Sequence, residues 1–151
     1  MDLCNINEIK ALLARHGFHF SKALGQNFIV DPDVCPHIAE ESGVNKEMCA
    51  LEIGPGVGVL TKELAKRAKK VVCIELDSKL LPILDETLAD FDNIEIINAD
   101  VLKTDLAALI EEKFGGMPVY VCANLPYYIT SPVIMTLLES RLPLKAVTVM
   151  V

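Results

Sequence analysis

The 151-residue sequence lacks several features that would each set its class. No apolar run approaches the roughly 20 residues that a membrane-crossing helix needs, so no membrane span is expected. The opening Met1-Asp2-Leu3-Cys4-Asn5 shows no basic segment followed by an apolar one, so no signal peptide is visible. The five cysteines are odd in number and contain no Cys-x-x-Cys. Together with three scattered histidines they offer neither a disulfide framework nor a metal site. Positive charge is in short supply: 14 Lys and Arg stand against 21 Asp and Glu, a net charge of −7. Phosphate contacts need clustered Lys and Arg, so this segment is not expected to grip nucleic acid non-specifically on its own.

What is present is apolar: 52% of the residues are hydrophobic, which excludes disorder and suits one domain with a real core. No repeat, low-complexity tract or linker divides the chain, so residues 1–151 are expected to form a single domain. Cys49, Cys73 and Cys122 fall in apolar strand-like runs and read as small core residues of a reducing compartment, the cytoplasm.

In chain order, Asn5 opens a capping box with Glu8, Ile9, Leu12 and Leu13 recur at helical spacing, and Gly17 stops that helix. The stretch from Phe18 to Ile29 lacks periodicity and carries Lys22, Gly25, Gln26, Asn27 and Phe28; it reads equally as a ligand lid or a plain connector. Asp31-Pro32 signals a helix start, with Val34, Ile38 and Ala39 inward and an end at Gly43. Strands are then expected at Cys49–Ile53, Val71–Ile74, Ile94–Ile97, Pro118–Ala123 and Ala146–Val151. Between them run helices with an apolar stripe of Leu80, Leu81, Leu84 and Leu88, another capped by Asp105 and closed by Gly115-Gly116, and a third from Ser131-Pro132 to about Ser140. Alternating strands and helices predict an α/β fold with a mostly parallel sheet and helices on both faces. An apolar strand at the end of the chain leaves a sheet edge to be covered, which leads us to expect a piece of a longer protein or a covering partner.

The central motif is Leu51-Glu52-Ile53-Gly54-Pro55-Gly56-Val57-Gly58-Val59-Leu60-Thr61: a buried strand, a glycine-rich turn and a helix. Such a turn lets the backbone approach a nucleotide-like ligand at the carboxyl end of the first strand. A dinucleotide fingerprint asks for Gly or Ala where Val59 stands, so the third glycine comes one position early and pyrophosphate clamping is disfavoured. The spacing resembles the first motif of the S-adenosylmethionine-dependent methyltransferases. A ligand-free glycine turn would satisfy the same pattern.

Further polar groups fall at successive strand ends: Glu75, Asp100 and Asn124. Glu75 comes 21 positions after Gly54, near the roughly 20 expected of an acid that accepts hydrogen bonds from ribose hydroxyls. Asp100 can accept from an adenine amine. Each acid alone is equally served by a helix-cap role; their common placement is what singles them out. His16 and His19, beside Arg15 and Lys22, read as solvated groups or as RNA phosphate contacts.

Three stretches carry a specific likeness: Leu24-Gly25-Gln26-Asn27-Phe28-Ile29-Val30-Asp31, Leu51 to Thr61, and Asn124-Leu125-Pro126-Tyr127. Glu75-Leu76-Asp77 and Asn98-Ala99-Asp100-Val101 agree with it. From about Phe20 onward the chain resembles the catalytic domain of the ribosomal RNA adenine dimethyltransferases. Ile29 departs mildly from the leucine more usual there, and the family's later strands and small helical RNA-docking domain are not in this sequence. The resemblance implies a Rossmann-like methyltransferase fold truncated after the fifth strand, with S-adenosylmethionine as cofactor. The implied substrate is an adenine amine of small-subunit ribosomal RNA, dimethylated during ribosome biogenesis. Asn27, Ile29, Gly54 and Gly56 would border the methionine end of the cofactor, Glu75 its ribose and Asp100 its adenine; Asn124 would touch both cofactor and target base. Asn124 and the Leu125 carbonyl would accept the amine hydrogens, Pro126 would stiffen the turn and Tyr127 would stack on a flipped-out base. No metal is implied, and oligomeric state is open. Competing readings are a methyltransferase of large-subunit RNA of the macrolide-resistance type, a non-catalytic RNA- or ribosome-binding relative, and a nicotinamide oxidoreductase, the last disfavoured by Val59.

Overall fold

A computed structural model of the chain describes residues 3, 5–18, 33–124, 132, 135 and 144–150. Five strands, β1 (Cys49–Ile53), β2 (Lys70–Glu75), β3 (Ile94–Asn98), β4 (Val119–Asn124) and β5 (Leu144–Met150), form one sheet in the order β3-β2-β1-β4-β5. Every pairing is parallel. The strand order reverses beside β1, so the crevice at a topological switch point lies at the carboxyl ends of β1 and β4. All five residues of β1 are buried, as a central parallel strand covered on both faces requires.

Successive side chains alternate across the sheet, and the helices divide accordingly. On one face Leu51, Ile53, Val72, Ile74, Val119 and Val121 pack on Leu106, Ile110 and Phe114 of α5 (Leu106–Phe114). On the other, Ala50, Val71, Cys73, Tyr120 and Cys122 meet α2 (Val34–Ser42) and α3 (Val59–Arg67). A third cluster joins α1 (Ile6–Arg15) and α4 (Leu81–Thr87) through Leu12, Phe18, Ile83, Leu84 and Leu88, and Val57 of the glycine-rich turn is part of it. On the edge strand β3, Glu95 pairs with Lys113 of α5 at 2.7 Å, the kind of charge that discourages edge-to-edge pairing.

Local chemistry explains the boundaries. Asn5 caps α1, its Oδ1 accepting from the N–H groups of Asn7 and Glu8 at 3.0 and 3.4 Å. Asp105 caps α5, and Gly115 ends it at φ 57°. Two details differ from the sequence reading. The second helix begins at Val34 with Asp33 at its cap and buries Cys35 and Ala39, while Val34 and Ile38 are half-buried; Asp31 and Pro32 lie outside the described residues. A 3₁₀ turn (Ser78–Leu80), capped by Asp77, precedes α4. It changes the helical phase, so the buried stripe is Leu80, Ile83, Leu84, Thr87 and Leu88, with Leu81 half-exposed. The helix expected from Ser131 to Ser140 lies largely outside the described residues. Cys35, Cys49, Cys73 and Cys122 are buried and in no disulfide, as small core residues. Among the described residues no helix is long and apolar enough to cross a membrane.

Candidate functional site

The register of the sheet aligns the strand ends. Ile53 pairs with Ile74 on one side and Ala123 on the other, so the next residues along each strand, Glu75, Gly54 and Asn124, fall in one row. Asn98 extends the row, paired with Glu75. Its amide donates to the Glu75 carbonyl at 2.9 Å and the Leu76 carbonyl at 3.2 Å, closing β2 onto β3. The strands themselves thereby bring Gly54, Glu75 and the backbone of Asn124 to one crevice.

The turn that fills this crevice bends at three glycines in the left-handed region, Gly54 (φ 76°), Gly56 (φ 61°) and Gly58 (φ 95°), where an L side chain is strained. The Gly54 N–H donates to the Ile74 carbonyl at 3.0 Å, prolonging the β1–β2 ladder by one step. The Gly58 N–H donates to the Pro55 carbonyl at 3.0 Å, and the Gly58 carbonyl accepts from Lys62 at 3.1 Å to begin α3. Val57 points inward and is buried.

Glu75 is buried, with 6% of its surface exposed. Its Oε2 accepts the Asp77 N–H at 2.9 Å, and the N–H groups of Gly56 and Leu76 add to the favourable field at the carboxylate. Burial raises its pKa above the usual carboxylate value, and these backbone donors oppose the rise. Asp100 sits two residues beyond β3 as the cap of a 3₁₀ turn (Val101–Lys103), its Oδ1 accepting the Leu102 N–H at 2.9 Å. The cap role is therefore real at Asp100, and it leaves the second carboxylate oxygen for another donor. Leu76 and Leu102, one just past each acid, are large apolar side chains left about half exposed (51% and 46%) at this end of the sheet. The sequence reading passed over them.

It also passed over Glu52. This acid lies in the middle of β1 with 1% exposure, accepts a hydrogen bond from the Thr61 hydroxyl on α3, and has the Cys73 thiol 3.7 Å from Oε1. Burial pushes its pKa up to about 7; Thr61 and Cys73 pull it down and the charge of Glu75 pushes it up. Two coupled carboxylates thus lie beneath the glycine turn. The one signal for Glu52 in the sequence is an acid inside an otherwise apolar strand.

Of the other expected site residues, Asn27, Ile29, Leu125, Pro126 and Tyr127 lie outside the described residues, and Asn124 is placed by its backbone. Arg15 and His16 are engaged within the chain: Arg15 Nη2 lies 2.8 Å and His16 Nε2 2.6 Å from the two carboxylate oxygens of Glu86 on α4. Both residues are exposed, as the solvated reading of His16 expects; His19 lies outside the described residues. Among the described residues no group of His, Cys, Asp and Glu is placed to hold a metal ion.

This parallel sheet with a glycine turn and a strand-end acid is the Rossmann-like methyltransferase fold, and solved structures agree. The chain superposes on the 23S rRNA methyltransferase ErmE with a TM-score of 0.70 and 34% identity, covering 82% of this chain and 47% of that one. It superposes on a dimethyladenosine transferase from Plasmodium falciparum with a TM-score of 0.65 and 29% identity, covering 79% and 42%. The sequence model of the family "Ribosomal RNA adenine dimethylase" matches residues 17–151. The chain belongs to that family. It is 51% identical over 150 residues to ribosomal RNA small subunit methyltransferase A of Geobacillus thermodenitrificans, and 48% identical over 145 residues to the protein of that name from Alkaliphilus metalliredigens. These alignments cover 99% and 96% of this chain but 51% and 50% of the relatives, so the chain spans about half the length of the curated relatives it matches.

Proposed function

We propose that residues 1–151 form the S-adenosylmethionine-binding domain of an enzyme that dimethylates adenine amines in small-subunit ribosomal RNA. The observation that carries this reading is the single row of Glu75, Gly54 and Asn124 across β2, β1 and β4. The site residues fit the cofactor: a buried carboxylate at a strand end suits a ribose diol, and a turn bending at three glycines lets the backbone approach the methionine end. When bound, S-adenosylmethionine supplies an electrophilic methyl group on sulfur.

In this reading Glu75 accepts hydrogen bonds from the two ribose hydroxyls, and the free oxygen of Asp100 accepts from the adenine amine. The backbone of Gly54 and Gly56, with Asn27 and Ile29, borders the methionine end. The exocyclic amine of a target adenine is a poor nucleophile because its lone pair is delocalised into the ring. The Asn124 side-chain carbonyl and the Leu125 backbone carbonyl accept its two hydrogens, which favours a pyramidal nitrogen with a directed lone pair. Pro126 stiffens this turn and Tyr127 stacks on the extruded base. No strong base is needed, since the amine becomes more acidic as it is alkylated. Alignment and oriented dipoles then account for most of the rate. The reading places the enzyme in the cytoplasm, with the precursor of the small ribosomal subunit as partner.

A large-subunit substrate is the second reading, favoured by the superposition on ErmE. The identity of 48–51% to small-subunit enzymes against 34% to ErmE supports the first. Calorimetric titration of the chain with S-adenosylmethionine, with NAD as comparison, tests the cofactor. Saturable binding of the former, weakened about a hundredfold in Glu75→Ala by loss of two charge-assisted hydrogen bonds, is expected; binding of NAD alone would refute it. Methyl incorporation into small- against large-subunit RNA by the full-length protein separates the two substrates.

A further inference from the structure

We propose that Thr87 is a positioning residue of the cofactor site, holding the glycine-rich turn through the Val57 carbonyl; this rests on the cofactor reading above. Thr87 is the one polar side chain in the buried stripe of α4, 6% exposed among Ile83, Leu84 and Leu88. A helical threonine commonly satisfies its hydroxyl on a carbonyl of its own preceding turn. Here the Leu84 carbonyl is 3.5 Å away, whereas the Val57 carbonyl, thirty positions distant in sequence, accepts at 2.9 Å. Valine would fill the same space, so packing does not call for a hydroxyl at this position. The contact across to the turn does.

The turn has reason to need it. Gly56 and Gly58 bracket Val57, both at positive φ, and glycine permits peptide orientations that other residues exclude. The peptide joining Val57 to Gly58 is pinned at both ends: its carbonyl accepts from Thr87 and its N–H donates to Pro55 at 3.0 Å. One residue earlier, the Gly56 N–H lies where it lowers the pKa of the buried Glu75 carboxylate. A flip of the Val57–Gly58 peptide would break the Gly58–Pro55 hydrogen bond and disturb the start of α3, where the Gly58 carbonyl accepts from Lys62. α4 also presses on the turn directly. A Cβ added to Gly58 would meet Leu88 Cδ2 at 3.0 Å, Thr87 Oγ1 at 3.2 Å and Leu84 Cδ2 at 3.4 Å. Glu86, next to Thr87, ties this end of α4 to Arg15 and His16. The hydroxyl therefore acts as a clamp between a braced helix and a soft loop.

The test compares Thr87→Val with Thr87→Ser in calorimetric titrations of the chain with S-adenosylmethionine, alongside amide hydrogen exchange of Gly58 without cofactor. Thr87→Val leaves the Val57 carbonyl without its buried donor and is expected to weaken binding about tenfold and to speed Gly58 exchange. Thr87→Ser keeps the hydroxyl and is expected to match wild type in both. In methyl transfer by the full-length protein the Val variant should raise the cofactor KM with kcat unchanged. Wild-type affinity in Thr87→Val overturns the inference, as does weakening by Thr87→Ser as large as that by Thr87→Val, because Ser keeps the hydroxyl and loses only the methyl. Should the Val variant fold poorly, the Ser variant decides on that same criterion. No binding by the wild-type chain would overturn the cofactor reading itself, and accelerated exchange in Thr87→Val would then mark a purely structural clamp.

Discussion

Where α5 covers the sheet, Leu51, Ile53, Val72, Ile74, Val119 and Val121 meet Leu106, Ile110 and Phe114, and the buried side chains are apolar. On the opposite face, and where α4 meets the glycine turn, Glu52, Thr61, Glu75 and Thr87 are buried as well: Glu52 accepts from Thr61 on the helix that leaves the turn, Thr87 donates to the Val57 carbonyl, and Glu75 stands in the strand-end row beside Gly54. One face supplies packing, worth roughly 1.5–3 kcal/mol for each large side chain removed from water. The other accepts the cost of buried polar groups, which is tolerable when each has a partner. The contrast teaches that burial in this fold has two meanings, and that stability and ligand affinity should respond to different residues.

The largest separation is expected from Asn124→Ala. At the row's far end it should lower methyl transfer by the full-length protein about a thousandfold, by analogy with loss of an oriented group at a reacting centre, with an unchanged thermal midpoint. Wild-type turnover would refute the role. Ile110→Ala on the α5 face should do the reverse: denaturant titration should show a loss of about 2–5 kcal/mol, while cofactor affinity stays at the wild-type value. A shift in affinity would break the division between the faces.

Glu52→Gln should remove a pH dependence. Because the folded pKa is raised to about 7, the folded protein holds a proton that the unfolded chain releases above the usual carboxylate range. Stability therefore falls as pH rises from about 5 to about 8, by at most about 3 kcal/mol. Denaturation across that range should show the fall in wild type and little of it in the Gln variant, apart from a smaller decline of the same sign from Glu75, whose pKa is also raised. The smallest effect is expected from Glu86→Gln. Arg15 and His16 hold this exposed carboxyl below its usual range, so the contact is present above that range and fades as pH falls through it. A slight, salt-sensitive drop in thermal midpoint near neutral pH should result.

How much of this was legible beforehand depends on the range of the interaction concerned. The strands, the caps at Asn5 and Asp105, the glycine stop after Phe114 and the placing of Glu75 and Asn124 at neighbouring strand ends follow from short-range pattern, and the structure agrees with each. Thr87 was hidden by a run of leucines whose helical phase is reset by the 3₁₀ turn before α4. Glu52 was hidden because an acid in an apolar strand has no periodic signature. The Glu86 contact joins residues 71 positions apart and has no trace in local sequence. Long-range partners such as these are what a single sequence conceals.

The strand order also bears on how the site comes together. Cys49 pairs with Lys70 of β2, 21 positions away, but with Val119 of β4, 70 positions away. Closing the longer loop costs about 1 kcal/mol more in chain entropy, and distant pairings form more slowly than near ones. The half that carries Gly54 and Glu75, from β1 through β3, is thus contiguous and local, and Asn124 joins it through the longer closure. Under the function proposed above, the groups assigned to the nucleoside are expected to come together before the group assigned to the target base, an order that pulse-labelled hydrogen exchange during refolding would check.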